Sequence, residues 1–373
     1  MIIEAARLFS AGEWLEPGWI DISGQLIQAV GRGRPPYEPD IRIEAALVPG
    51  FVDAHVHGGG GYSFNDSDPA AAERIAGTHL RHGTTSIMAS LVTAPLDQLE
   101  ARVQALAPKV RDGLLAGIHL EGPWLSPTHK GAHAPELLRA PDPREIKQLL
   151  HAGGGTVRMV TLAPELEGGL AAVRQILDLR AVIAIGHTDA TYEQTHAALR
   201  EGASAGTHIF NGMRPIHHRQ PGPAVALLED REAFVELIAD GVHLHPAMIR
   251  TIFTSAAKAV LVTDAMAAAA APEGSYKLGH LDVYVRNGQA RLASNGSIAG
   301  STLTLDAALR YAVQTAGVPL GEAIKALTQH PAAMLGLTEV GVLEAGKRAD
   351  LLVLDPTLAV QAVMRGGEWI MHP

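Results

Sequence analysis

The sequence predicts an α/β protein, a (β/α)8 TIM-like barrel accompanied by a small β domain assembled from both termini. Three observations carry this expectation. Eight apolar runs, each ending in Gly, Pro or a polar cluster, alternate with Ala- and Leu-rich stretches of helical length, the rhythm of a parallel sheet wound with helices. Several of the runs are continuously apolar, as strands covered on both faces are. Residues 1–31 and 341–370 break the rhythm with short β-like segments punctuated by Gly, Pro and Asp. The expected division is 1–46 with 337–373 for the small domain and 47–336 for the barrel. A doubly wound sheet is the alternative topology.

The eight runs are "LVPGFVDAHVH" (47–57), "TTSIMASLVT" (84–93), "LLAGIHLEG" (114–122), "TVRMVTLAP" (156–164), "AVIAIGH" (181–187), "ASAGTHIF" (203–210), "FVELIADGVH" (234–243) and "KAVLVTDAM" (258–266). Between the first six lie the helix candidates "DPAAAERIAGTHLRH", "APLDQLEARVQALAPKV", "DPREIKQLLHA", "ELEGGLAAVRQILDL" and "TYEQTHAALREG". Several open on an Asp, Pro or Thr start signal. The sixth run is the weakest strand, because a segment rich in His, Arg and Pro follows it. Residues 301–336 supply two further helices.

Composition narrows the chemistry. With 373 residues and 47% hydrophobic content, the chain has ample material for a large core. The 30 Lys plus Arg against 39 Asp plus Glu give a net charge of −9, and no basic run is long enough to follow a phosphate backbone, so nucleic acid is not an expected partner. Without cysteine there is no thiol nucleophile, and any metal must be held by His, Asp or Glu. No stretch reaches the roughly 18 apolar residues of a membrane span, and no basic-then-apolar leader opens the chain, so the expected location is the cytoplasm.

Successive strand residues point to opposite faces, so Asp53, His55 and His57 share one face, the lumen in a barrel. The glycines of "HGGGG" then form a loop at the mouth. Other runs finish the same way. His119 and Glu121 lie two apart, and His187, His208, His243 and Asp264 each sit where a strand ends, which places six of the 18 histidines at carboxyl strand ends. One such histidine is ordinarily a hydrogen-bonded core residue. A set of them with carboxylates is better explained by a metal, because buried imidazoles and carboxylates need partners and one ion serves several. His119 is read as either a lumen residue bonded to its neighbours or a support behind a ligand. His79, His82, His151 and His196 fall on helix candidates and are expected to be solvated. With neither "GxSxG" nor a Walker loop present, water activated by a divalent metal is the simplest nucleophile.

These residues also carry a resemblance. "PGFVDAHVHGGGG", "HLEGPWLSPTHKGAHAPE", "GHTDATYEQ", "GTHIFNGMRPIHHRQPGP", "DGVHLHP", "VTDAMAA", "AGSTLTLD", "HPAAMLGL" and "AGKRADLLVLD" together resemble the N-acetylglucosamine-6-phosphate deacetylases of the amidohydrolase superfamily, from the first strand to the C-terminus. The resemblance implies a barrel beside a small β-sandwich, a homodimer, and a divalent metal centre of one or two ions, zinc first with iron, manganese or cobalt as alternatives. It assigns Glu121, His187 and His208 as the main metal ligands, with His55 and His57 favouring a second ion bridged by Glu121. Asp264 matches the catalytic carboxylate and His243 the histidine at the substrate's acetyl group. Ala132, His133, Asn211, Gly212, His218, Arg219 and Leu303 match substrate-pocket positions, with Arg219 reaching the phosphate in the neighbouring subunit. The expected reaction is hydrolysis of N-acetyl-D-glucosamine 6-phosphate to the free amine and acetate. The alternatives are the galacto epimer, a cyclic amide as in dihydroorotases and hydantoinases, and a barrel that has lost catalysis and serves as a scaffold.

Overall fold

The structure is a computed structural model that describes all 373 residues. Eight parallel strands form the barrel: β1 Phe51–Asp53, β2 Thr84–Val92, β3 Gly117–Glu121, β4 Val157–Leu162, β5 Val182–Ile185, β6 Ala205–Gly206, β7 Phe234–Ile238 and β8 Lys258–Val262. They pair in chain order from β1 to β8. All nine residues of β2 are buried, which is why the run reads as apolar without alternation. Each of the eight runs holds one barrel strand, and the sixth is the shortest at two residues.

The barrel closes between β8 and β1 through side chains as well as backbone. The Asp264 amide donates to the His55 carbonyl at 2.9 Å, and the Asp53 carboxylate accepts from the Thr263 amide at 3.2 Å and hydroxyl at 2.7 Å. Asp53 is fully buried, and burial pushes its pKa up to about 7 despite those bonds.

The helices are α1 Ala71–Leu80, α2 Leu96–Arg111, α3 Pro143–Gly153, α4 Gly169–Asp178, α5 Tyr192–Arg200, α6 Gly222–Glu229, α7 Pro246–Ser255 and α8 Leu305–Arg310. The start signals act as expected. Asp142 accepts from the Arg144 amide ahead of α3, and Thr191 and Gln194 form a reciprocal capping box at α5. Beyond β8 the chain departs from expectation. Instead of two helices over 301–336 there are α8, continuing into a π turn at Tyr311–Thr315, then α9 Leu320–Leu327 and α10 Gln329–Met334.

The termini supply one eight-stranded sheet from residues 2–49 and 351–371. The sheet curls until its edge strand Leu26–Arg32 meets the segment before Leu351, with Leu26 bridging Arg348, and so encloses its own core around Ile3, Leu8, Ile20, Leu47 and Leu351. Its strand Ile41–Pro49 runs directly into β1 through Gly50. An antiparallel sheet that the sequence reading does not contain, Gly274–Leu278, Leu281–Arg286 and Gln289–Leu292, stands after β8 and packs Leu278 and Val283 near Val92 and Met266. No helix is long and apolar enough to cross a membrane.

Candidate metal centre and active site

Three of the residues at the barrel's carboxyl mouth have left-handed backbone: His187 at φ +37°, His208 at +24° and Asp264 at +49°. Each stands two residues past the end of its strand, and the turn aims the side chain back over the lumen. Such conformations are costly for side-chain-bearing residues and gather where geometry serves a site. Two loops close onto His187 at glycines. A Cβ on Gly131 would lie 2.6 Å from its Cε1, and one on Gly212 would lie 2.6 Å from its Nδ1. The glycines after His57 form a tight hairpin, Gly58–Gly59 against Tyr62–Ser63, in which a Cβ on Gly58 would meet the Tyr62 carbonyl at 2.3 Å.

The side chains converge on Glu121. Its Oε1 lies 3.1 Å from His208 Nε2, 3.3 Å from His187 Nε2 and 3.6 Å from His55 Nε2. Its Oε2 lies 3.2 Å from His57 Nε2 and 3.4 Å from His133 Nε2. Asp264 Oδ1 lies 3.2 Å from His57 Nε2 and 3.5 Å from His55 Nε2. Two groups have the spacing of metal ligands, His55–His57–Glu121 and Glu121–His133–His187, sharing the glutamate. His133, expected only as a substrate contact, is therefore also placed as a donor.

The outer ring nitrogens test whether a cation fits. His55 Nδ1 faces the buried Glu236 carboxylate at 3.2 Å, His57 Nδ1 faces the Ser90 carbonyl at 3.1 Å, and His187 Nδ1 faces the His129 carbonyl at 2.8 Å. Each proton is thus held outward and each Nε2 lone pair points inward. His55 Nε2 and His57 Nε2 then present lone pairs to one another across 3.1 Å, an arrangement that only a cation or an added proton relieves. The same demand appears in the titration. Burial opposes charge on His57, but its bonds to Asp264 and Glu121 outweigh it and raise the pKa to about 9. His55 is likewise raised, against burial, by Glu121, Glu236 and Asp264. Burial alone would raise Glu121, yet His55 and His133 hold it well below the usual carboxylate range. Two carboxylates and several inward lone pairs in a buried site suit a divalent ion.

His119 takes no part in that convergence. Ser90 Oγ lies 2.9 Å from its Nδ1 and Thr161 Oγ1 lies 2.8 Å from its Nε2, so both nitrogens are satisfied, and burial holds the ring neutral. It is a lumen residue bonded to its neighbours. His79 corrects an expectation: it is completely buried, with Nε2 2.9 Å from the Gly58 carbonyl, and burial lowers its pKa to about 4. It supports the glycine hairpin from below rather than facing solvent.

The pocket above the cluster has a volume of about 170 Å3. Its wall contains His57, Glu121, Ala132, His133, His187, His208, Asn211, Gly212, His243 and Asp264, together with Leu278 and Ile298 from the added sheet and the loop after it. His243 Nδ1 lies 2.7 Å from the Asp240 carboxylate. Burial disfavours a charged ring there, but that bond raises the pKa of His243 above the ordinary histidine value, and Nε2 is left without a protein partner. His55 lies beneath the pocket floor. Leu303 is buried but is not in the pocket wall, and His218 and Arg219 are exposed on the 217–220 turn, their side chains 2.8 Å apart and outside the pocket.

The sequence reading missed Glu236, Asp240 and the added sheet. Glu236 had a signal, a lone carboxylate inside the apolar run "FVELI". The sheet had one too, "LDVYVRNGQARL", in which alternating residues flank an Asn-Gly turn.

A profile of the amidohydrolase family matches residues 46–370. The chain is 40% identical to an N-acetylgalactosamine-6-phosphate deacetylase of Escherichia coli O157:H7 over 374 residues, covering 98% of each chain. It is 36% identical to an N-acetylglucosamine-6-phosphate deacetylase of Lysinibacillus sphaericus, covering 95% of this chain and 92% of the relative. Among solved structures, a mutant form of the N-acetyl-D-glucosamine-6-phosphate deacetylase of Mycobacterium smegmatis, in complex with N-acetyl-D-glucosamine-6-phosphate, superposes with a TM-score of 0.97 at 49% identity, covering 100% of this chain and 99% of that one.

Proposed function

The chain belongs to the amidohydrolase family and, within it, to the N-acetylglucosamine-6-phosphate deacetylases, and on that premise we propose how it hydrolyses the acetamide of N-acetyl-D-glucosamine 6-phosphate to glucosamine 6-phosphate and acetate. The observation that carries the reading is one pocket in which Asp264 stands beside the inward Nε2 atoms while His243, set by Asp240, lines the same space.

A divalent ion held by Glu121 with His187, His208 and His133, and a second by His55 and His57, would acidify a water and polarise the acetyl carbonyl. Asp264 Oδ1 takes the proton as water attacks and returns it to the departing nitrogen, which must leave as an amine because an amide anion is too poor a leaving group. His243 Nε2–H stabilises the oxygen on which charge develops, an effect of about 3 kcal/mol for a well-placed donor. Zinc suits the imidazole and carboxylate set first, with iron, manganese and cobalt as alternatives. Arg219 is exposed and outside its own pocket, its side chain against His218, and in this reading it reaches the sugar phosphate in the partner copy of a homodimer.

The likeness to an N-acetylgalactosamine-6-phosphate deacetylase favours the galacto epimer as a second reading. Acetate release measured with both sugar phosphates and with unphosphorylated N-acetylglucosamine tests the proposal. It requires the highest kcat/KM for the gluco phosphate. A preference for the galacto phosphate would move the assignment to the epimer, and no release from either would overturn it.

A further inference from the structure

At the end of the barrel opposite the histidine cluster, a pocket of about 100 Å3 lies where the amino ends of β2, β3 and β4 meet the terminal sheet. Three arginines line it: Arg158 from β4, Arg365 from the strand Val360–Arg365, and Arg348 from the segment leading to Leu351. Their charges are unequally answered. Arg348 holds Asp350 through Nε at 3.0 Å and Nη2 at 2.5 Å and also donates to Ser86 Oγ at 3.0 Å, so its charge is answered within the protein. Arg365 donates only to main-chain carbonyls, those of Thr85 at 2.9 Å, Gly113 at 2.6 Å and Leu114 at 3.3 Å. Arg158 makes neither an ion pair nor a hydrogen bond, and its Nε is buried without a partner. The remaining acid at the rim, Glu339, is exposed and pairs with none of them.

We propose that this pocket is a binding site for a small tetrahedral oxyanion, inorganic phosphate or sulfate, held between Arg158 and Arg365. Guanidinium groups bind such anions through paired N–H donors, and a half-buried arginine whose buried Nε has no acceptor carries a cost that an anion would relieve. The site is shaped for the side chain. Gly117 leaves the space that the Arg158 stem crosses, since a Cβ there would lie 2.6 Å from Arg158 Cδ. At about 100 Å3 the pocket is smaller than the one above the histidine cluster, which favours a free ion over a sugar phosphate. Burial and the nearby charge of Arg348 lower the pKa of Arg365, as expected of a cation short of negative charge. An anion there would tie β4 to the terminal sheet and stabilise the folded chain in proportion to its occupancy.

The test compares the metal-loaded wild-type chain with R158M and R158K as sulfate rises to about 10 mM, with ionic strength held by chloride. Any sulfate in the histidine-lined pocket, or excluded from the surface, affects all three alike. The melting temperature of the wild type is expected to rise with sulfate, R158M to require at least ~10-fold more sulfate for the same rise, and R158K to fall between them because it keeps the charge but loses the fork. Selenate soaked into crystals should give an anomalous peak between Arg158 and Arg365. Equal sulfate responses in wild type and R158M, or selenate found only at the histidine cluster, would overturn the site.

Discussion

Glu236 has no solvent exposure, and its only side-chain partner is His55, whose Nδ1 lies 3.2 Å from Oε2; the backbone amide of His208 approaches the same oxygen at 3.4 Å. Glu236→Leu removes the acceptor that holds the His55 proton outward. His55 can then place that proton on Nε2, where it competes with a metal. Loss of a carboxylate behind a histidine ligand typically weakens metal binding 10–100-fold, which is about 1.4–2.7 kcal/mol. The effect should fall mainly on the His55–His57 side, because among the other ion's proposed donors only His208 meets Glu236, through its backbone amide and not its ring. Glu236→Gln keeps an acceptor oxygen and should lose about tenfold or less. The metal-free fold should suffer little, since Oε1 has no partner and leucine removes that uncompensated atom. Titration of metal against a competing chelator, fitted to two sites, with bound metal quantified on the same samples, reads both constants. Two ions bound by Glu236→Leu within twofold of the parent would refute the reasoning.

Other changes separate the remaining roles. Glu121→Gln should abolish both ions, whereas changing His55 and His57 together should remove one at most; metal-to-protein ratios decide, because the glutamate belongs to both donor groups. Arg219→Ala should lower kcat/KM for the phosphorylated sugar by about 10–100-fold and leave the unphosphorylated analogue nearly unchanged, as a lost guanidinium fork predicts; equal losses on both would make it a surface arginine. Asp306 provides a pH test. Burial would raise its pKa, but bonds from His82 and Thr304 and the charge of Arg310 hold it below the usual value. Its contribution is therefore complete above the unfolded pKa of about 3.9 and is lost as pH falls through the folded value, so Asp306→Asn should cost about 2 kcal/mol at neutral pH in urea denaturation and progressively less in acid.

What the sequence made legible follows from where each signal resides. The eight barrel runs could be read because burial on both faces leaves them mostly apolar, and the polar residues that end them mark the mouth. His55, His57, Glu121, His187, His208 and Asp264 were recoverable for that reason. Which nitrogen faces inward was not, because the tautomers are set by Glu236, the Ser90 carbonyl and the His129 carbonyl, all remote in sequence. His79 was misjudged since a helix of about three turns hides which face packs, and here that face meets the glycine hairpin. His133 lies on an irregular loop, so its approach to Glu121 depends on tertiary contacts, including Thr93 Oγ1 at 2.9 Å from its Nδ1. The pairing of His243 with Asp240 was within reach, three residues apart in "ADGVH".

The most direct measurement is acetate release from N-acetyl-D-glucosamine 6-phosphate by the parent and Asp264→Asn, with metal content and melting temperature recorded on the same preparations. Asn is nearly isosteric but cannot carry the proton. The variant should keep its fold and most of its metal while kcat falls by about 10²–10⁴. A variant with full metal and kcat within about tenfold of the parent would contradict Asp264 as the proton carrier.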